Sequence, residues 1–251
     1  MAFEGKKRPA PRRPEGKRRK GRLRLRRPMG GPLVLVNLKT YGDATGAAGL
    51  ELCRSLQRAD DGRSLTALAV PALDVARYAA ALRLPIYAQH VDGAMAGKST
   101  GHTVATAMAA AGAVGTLLNH AERPLAAADL LAAHHAAKGA GLRTVICAAD
   151  GPKAAKVARL HPDYVAIEPP ELIGGEVSVS TAAPEVVRSA VALVAASSPS
   201  VAVLCGAGIK DRADVTAARK LGTAGVLVAS GVVCAKDPAA ALSDLLAGMG
   251  R

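Results

Sequence analysis

Two short segments hold the groups best suited to acid–base chemistry: Asn119-His120-Ala121-Glu122 and Glu168-Pro169-Pro170-Glu171-Leu172-Ile173-Gly174-Gly175. A carboxylate can remove a proton as a general base, and a neutral imidazole can donate a hydrogen bond to the oxygen that gains charge as this happens. The two prolines after Glu168 have no N–H and a fixed φ, so they make a stiff hinge. Beyond them lie an apolar tip and a flexible Gly-Gly end. That is the composition of a closing lid, which would exclude water and raise the basicity of Glu168 by desolvation. Lys39 could neutralise an oxyanion or a phosphate, for which lysine acts as a point charge. Gly206-Ala207-Gly208 and Ala229-Ser230-Gly231 would let backbone N–H groups approach an anion. Taken singly, each has an ordinary structural reading: an acidic loop residue, a solvated histidine, a surface lysine, tight β/α loops.

What lifts these groups above the ordinary is the pattern of elements around them. Strand-like runs fall at Leu33–Asn37, Leu65–Val70, Ile86–Gln89, Gly115–Asn119, Arg143–Cys147, Tyr164–Ile167, Val201–Cys205 and Gly225–Ala229. They are continuously apolar, as parallel strands buried on both faces are. Between them lie Ala/Leu-rich helical stretches at Thr45–Arg58, Ala72–Leu82, Gly101–Ala113, Leu125–Lys138, Pro152–Leu160, Pro184–Ala196, Arg212–Leu221 and Pro238–Ala247. Several open on a proline, whose missing N–H costs nothing in the first turn. Eight such units predict an α/β fold, a (β/α)8 TIM barrel, in which residues just past the strands share one face. An open doubly wound sheet is the alternative, but no G-x-G-x-x-G follows the first strand. His120 is expected to open a short helix, whose positive end would disfavour an imidazolium.

Composition narrows the function classes. Aromatics are only 2 % of the 251 residues, so the core must be built from Val, Leu, Ile and many Ala. The net charge of +13 is concentrated in residues 1–30, which hold 13 of the 33 Lys/Arg and 2 of the 20 Asp/Glu. The remaining 20 basic and 18 acidic residues leave the body nearly neutral. Residues 1–30 therefore read as a disordered basic tail, with residues 31–251 as the barrel domain. The tail could contact RNA or anionic surfaces without sequence preference, could be a targeting segment, or could precede the true start at Met29. Without interleaved aromatics it is poorly suited to specific single-strand binding. Cys53, Cys147, Cys205 and Cys234 are widely spaced, and are expected to be buried reduced thiols in a cytoplasmic protein. Neither a membrane span nor a secretory h-region stands out. No His/Cys/carboxylate spacing argues for a metal. Of the other histidines, His134 and His135 are expected to face solvent from mid-helix, and His161 to sit in a turn.

Read in order, the strand ends resemble the triosephosphate isomerase family in its short archaeal-type form, from about Pro32 to Gly248. The segments that carry the resemblance are Asn37-Leu-Lys39-Thr-Tyr41, Ala88-Gln-His-Val-Asp92, Gly115-Thr-Leu-Leu-Asn-His-Ala-Glu122, Ala166-Ile-Glu-Pro-Pro-Glu-Leu-Ile-Gly174, Leu204-Cys-Gly-Ala-Gly-Ile209 and Val226-Leu-Val-Ala-Ser-Gly231. The resemblance implies a glycolytic and gluconeogenic isomerase that interconverts dihydroxyacetone phosphate and D-glyceraldehyde 3-phosphate through an enediolate, with no cofactor or metal. It implies Glu168 as the base and His120 as a neutral electrophile. Asn37 and Lys39 would hold substrate, with Glu122 orienting Lys39. Ile173, Gly208, Ala229 and Ser230 would meet the phosphate through their backbones. It also implies a homo-oligomer, dimeric or tetrameric. Three positions depart from the family pattern: Ala121 stands in place of Ser, Gly175-Glu176 in place of Thr-Gly, and Lys210 in place of a small polar residue. The alternatives are another phosphate-binding barrel acting on a sugar phosphate, and a nucleic-acid-associated protein driven by its tail.

Overall fold

The computed structural model describes residues 32–62, 64–169 and 178–250. The basic tail and most of the expected lid, including Ile173 and Gly175-Glu176, lie outside the described residues. Eight parallel strands close into a barrel in sequence order: β1 Leu33–Asn37, β2 Leu65–Val70, β3 Ile86–Ala88, β4 Gly115–Leu118, β5 Arg143–Ala148, β6 Tyr164–Ile167, β7 Ala202–Cys205 and β8 Gly225–Val228. The doubly wound alternative is thereby excluded. Closure pairs Leu33 with Gly225. A Cβ at Gly225 would lie 1.9 Å from the Leu33 carbonyl oxygen, so no larger residue fits that seam.

The uniformly apolar strands conceal a period of two. Leu33, Leu35, Ala67, Ala69, Tyr87, Leu117, Val145, Cys147, Tyr164, Ala166, Leu204 and Leu227 form one buried cluster. The alternate residues, such as Val34, Val36, Leu68, Ile146, Val165 and Val226, pack with the helices in another. The first set fills the barrel interior, where Tyr87 and Tyr164 supply the bulk against small alanines. Removing one leucine from such a layer costs about 2–5 kcal/mol, so the interior holds the strands firmly in register. Carrying the inward parity to the strand ends brings Asn37, Gln89 and Glu168 to the barrel mouth.

The helices are α1 Gly46–Ala59, α2 Val75–Ala81, α3 Ala105–Ala111, α4 Ala127–Gly139, α5 Gly151–Ala158, α6 Val179–Ala182, α7 Pro184–Ser197, α8 Arg212–Lys220, α9 Ser230–Val233 and α10 Pro238–Gly248. The short α6 and α9 were not anticipated, since neither is long enough to show a period. Ala72–Asp74 is a separate 3-10 turn ahead of α2. Asp150, Asp211 and Asp237 cap α5, α8 and α10 by accepting from the backbone N–H three residues on.

Two expectations fail here. His134 is buried at 3 % exposure, because it shares one stripe of α4 with Leu130, Ala133 and Ala137. Burial pushes its pKa below the ordinary histidine value. Cys234 is exposed, whereas Cys53, Cys147 and Cys205 are buried. It directly follows α9, the short helix after β8. His161 does sit in a turn, with φ at +56°, and its Nδ1 is 2.8 Å from Ser198 Oγ.

Candidate active site

The strand ends converge on a small cleft that opens at the C-terminal mouth of the barrel. Asn37, Lys39, His120 and Glu168 form one part of its wall. Ala207–Lys210 and Leu227–Gly231 form the rest. Every sequence-predicted site residue that is described lines this cleft, apart from Glu122, which bonds to Lys39.

Lys39 reaches the cleft through a strained backbone. Its φ is +47°, a left-handed conformation that costs a long side chain roughly 1–3 kcal/mol. The cost is met by its neighbours. The Lys39 N–H donates to Asn37 Oδ1 at 3.0 Å, and its carbonyl accepts from Gln89 Nε2 at 2.8 Å. Gln89 Nε2 also lies 3.1 Å from Asn37 Oδ1. The side-chain oxygen of Asn37, which lines the cleft, is thus engaged twice. Lys39 Nζ then lies 2.6 Å from Glu122 Oε1. In the sequence Gln89 only closes the strand-like run Ile86–Gln89; its inward parity with Tyr87 is the signal that places it at the mouth.

The β3 loop is anchored by its own carboxylate. Asp92 accepts from the Thr103 N–H at 2.6 Å and contacts His90 at 2.9 Å and Arg123 at 3.5 Å. Burial raises the Asp92 pKa, but these partners outweigh it and hold the carboxyl below the ordinary range.

His120 does not begin a helix. Residues 121–123 form a single turn closed by the Arg123 N–H on the His120 carbonyl at 2.8 Å, and α4 starts only at Ala127. Asn119 shapes this turn: with φ at +58°, it accepts from the Leu125 N–H and donates to the Cys147 carbonyl. The helix-end argument for a neutral ring therefore falls away, and a hydrogen bond takes its place. The Glu122 N–H donates to His120 Nδ1 at 3.1 Å. A nitrogen that accepts carries no proton, so this bond assigns the ring hydrogen to Nε2. Nε2 points at Glu168, 3.7 Å from Oε1.

Glu168 is 6 % exposed, and among the described residues its Oε2 has no hydrogen-bond partner. Neutral thiols lie close to it. Burial drives Cys147 well above the ordinary thiol value, and the charge of Glu168 adds to this. Cys205 is pushed up to about 12 by burial, then by Asp214 and Glu168. The clearance for the carboxylate comes from Gly206, where a Cβ would lie 2.7 Å from Glu168 Cγ. This differs from the sequence expectation, in which Gly206 served the approach of an anion. A Cβ at Gly231 would meet the Ile209 carbonyl oxygen at 2.4 Å, so that glycine lets the loops after β7 and β8 abut. Ala207 and Gly208 are both left-handed, at φ +68° and +72°, and turn the β7 loop across the mouth.

A buried carboxylate, an imidazole N–H aimed at it, a paired ammonium and two backbone loops can together move a proton next to a carbonyl on a small anionic molecule. Comparison with known proteins narrows this further. The sequence model described as triosephosphate isomerase matches residues 32–246. The chain belongs to the triosephosphate isomerase family. The triosephosphate isomerase of Methanosarcina acetivorans is 49 % identical over 219 residues, covering 87 % of this chain and 99 % of that protein. That of Methanocaldococcus jannaschii is 41 % identical over 215 residues, covering 85 % and 98 %. A crystal structure of triosephosphate isomerase from Bartonella henselae superposes with a TM-score of 0.68 at 18 % identity, over 86 % of this chain and 98 % of that one. At that identity the superposition speaks for the fold alone. The archaeal-type resemblance of the strand ends thus extends over the whole barrel of this family. Among the described residues no helix is long and apolar enough to cross a membrane.

Proposed function

We propose that the chain interconverts dihydroxyacetone phosphate and D-glyceraldehyde 3-phosphate, with Glu168 as the base. The observation that carries this reading is the Glu168–His120 pair, with Oε1 and Nε2 3.7 Å apart in one cleft, in a chain so closely related to named triosephosphate isomerases. Glu168 takes the proton from the carbon beside the carbonyl. The electron pair passes to the carbonyl oxygen, which receives a hydrogen bond from His120 Nε2 and faces the Lys39 ammonium. Glu168 then returns the proton to the neighbouring carbon, and the hydroxyl proton passes between the two oxygens. Glu122 fixes both partners of the base, through its N–H on His120 and its carboxylate on Lys39. The phosphate would rest on the backbones of Gly208, Ala229 and Ser230, with Ile173 contributing from the segment outside the described residues.

The test is a panel of sugar phosphates offered to the full chain. Turnover of the triose phosphates alone, inhibited competitively by inorganic phosphate, is expected. Turnover of a pentose or hexose phosphate in their place would favour the other barrel reading.

The basic segment 1–30 precedes the family match, which begins at residue 32. We propose that it gives the isomerase a loose, sequence-independent hold on RNA. Neutralising several phosphates releases counterions, so binding should fall by orders of magnitude between about 50 and 200 mM salt. A chain starting at Met29 should not bind RNA while keeping full turnover. Tight binding by that shortened chain would overturn the role of the tail.

A further inference from the structure

We propose that the groove between α4 and α5 is a second binding site, which takes a medium-chain fatty carboxylate with its head at α5 and its chain along α4. No step of the isomerisation uses this groove.

The groove has a volume of about 600 Å³, inside the roughly 300–1,000 Å³ span of small-molecule sites. It exists because α4 and α5 stand apart. On its other flank α5 packs closely on α7, but it makes little contact with α4. Each nevertheless turns apolar residues to the gap. On α4, Ala127, Leu130 and Leu131 fall at helical spacing, and Leu131 is 39 % exposed. Val157 on α5, and Leu160 just beyond it, face them across the groove. Covering such a surface is favourable in proportion to the apolar area removed from water.

Charge decides what covers it. Lys153 and Lys156, three residues apart on α5 and so on one helical face, form the rim. Lys153 is paired with Asp150 at 3.1 Å, whereas Lys156 is exposed and, among the described residues, has no carboxylate partner. The floor is buried and is made by Cys147, Ala148 and Glu168. Among the described residues Glu168 is the only carboxylate that lines the groove. It repels an anionic head from the floor and tolerates an alkyl chain. A cationic rim over an apolar wall therefore orients an amphiphile head outward, and one negative charge matches the one unpaired ammonium. A second copy of the chain docked symmetrically on this face would instead bring two such lysine pairs together. Glu168 also lines the substrate cleft, so its side chain stands between the two sites.

The experiment is calorimetry of the full chain with decanoate below its micelle range, and with octanoate and decyltrimethylammonium as comparisons. Decanoate is expected to bind about 15-fold more tightly than octanoate, from ~0.8 kcal/mol for each of two buried methylenes. Lys156→Glu should weaken decanoate by at least about two- to fivefold, the scale of one exposed ion pair, and remove its advantage over decyltrimethylammonium. Leu131→Gln should weaken both carboxylates. Saturating inorganic phosphate should leave decanoate binding unchanged. Thermal melts check that both variants are folded, and calorimetry reads the site whether or not the chain turns over triose phosphates. No binding at millimolar decanoate, equal binding of the cationic amphiphile, or displacement by inorganic phosphate would overturn the proposal. Binding indifferent to both variants would place decanoate elsewhere, on the basic segment 1–30 above all, and overturn it too. So would sedimentation in which Leu131→Gln splits an oligomer that decanoate does not affect, since a second copy would then cover the groove.

Discussion

Glu168→Gln lowers kcat by at least about 10²–10⁴-fold, the contribution of a positioned general base. The substitution keeps the shape of the side chain and removes only the ability to take a proton. The surroundings explain why the site cannot compensate. Glu168 is buried beside neutral Cys147 and Cys205, and the nearest ring nitrogen, His120 Nε2, holds a proton and so cannot accept one. Among the described residues no second carboxylate lines the cleft to serve in its place. KM should change far less than kcat, because the amide still fills the space cleared by Gly206. Steady-state kinetics check this, and near-normal turnover would remove Glu168 from the role of base.

The second large effect is expected at His120. Replacing it by Ala removes the donor that meets the developing oxyanion, at a cost of roughly 3 kcal/mol in transition-state stabilisation, or about 10²–10³-fold in kcat. The same substitution frees the Glu122 N–H from its acceptor. Glu122 also holds Lys39, so part of the loss arises through a displaced ammonium. His120→Asn separates the two contributions. Its side-chain oxygen can accept from Glu122 N–H while its NH2 remains a donor, so it should lose less than His120→Ala. A change confined to KM in both variants would contradict the electrophile role.

The sequence carried the chain order of strands and helices, and with it the face on which the polar strand ends meet. Inward parity alone places Asn37 above Leu33 and Leu35, and Glu168 above Tyr164 and Ala166. What it did not carry are features created by distant segments meeting. The strain at Lys39 depends on Gln89, fifty residues away. The tautomer of His120 depends on the Glu122 N–H, placed by a single turn over residues 121–123 that runs on into no helix. The role of Gly206 follows from the approach of β6 to β7, which no local pattern reveals. His134 is a different kind of miss: the stripe Leu130, Ala133, His134, Ala137 was readable in the helical period, but a His-His pair suggests a solvated face.

Glu168 as the group that carries a proton between neighbouring carbons is the central claim, and isomerisation in D2O tests it most directly. While the proton resides on a carboxylate at a site open to solvent, it exchanges. Dihydroxyacetone phosphate converted by the full chain should therefore yield glyceraldehyde 3-phosphate carrying deuterium at carbon 2, at a rate that collapses in Glu168→Gln. Turnover with no deuterium in the product, or with labelling undiminished in Glu168→Gln, would contradict it.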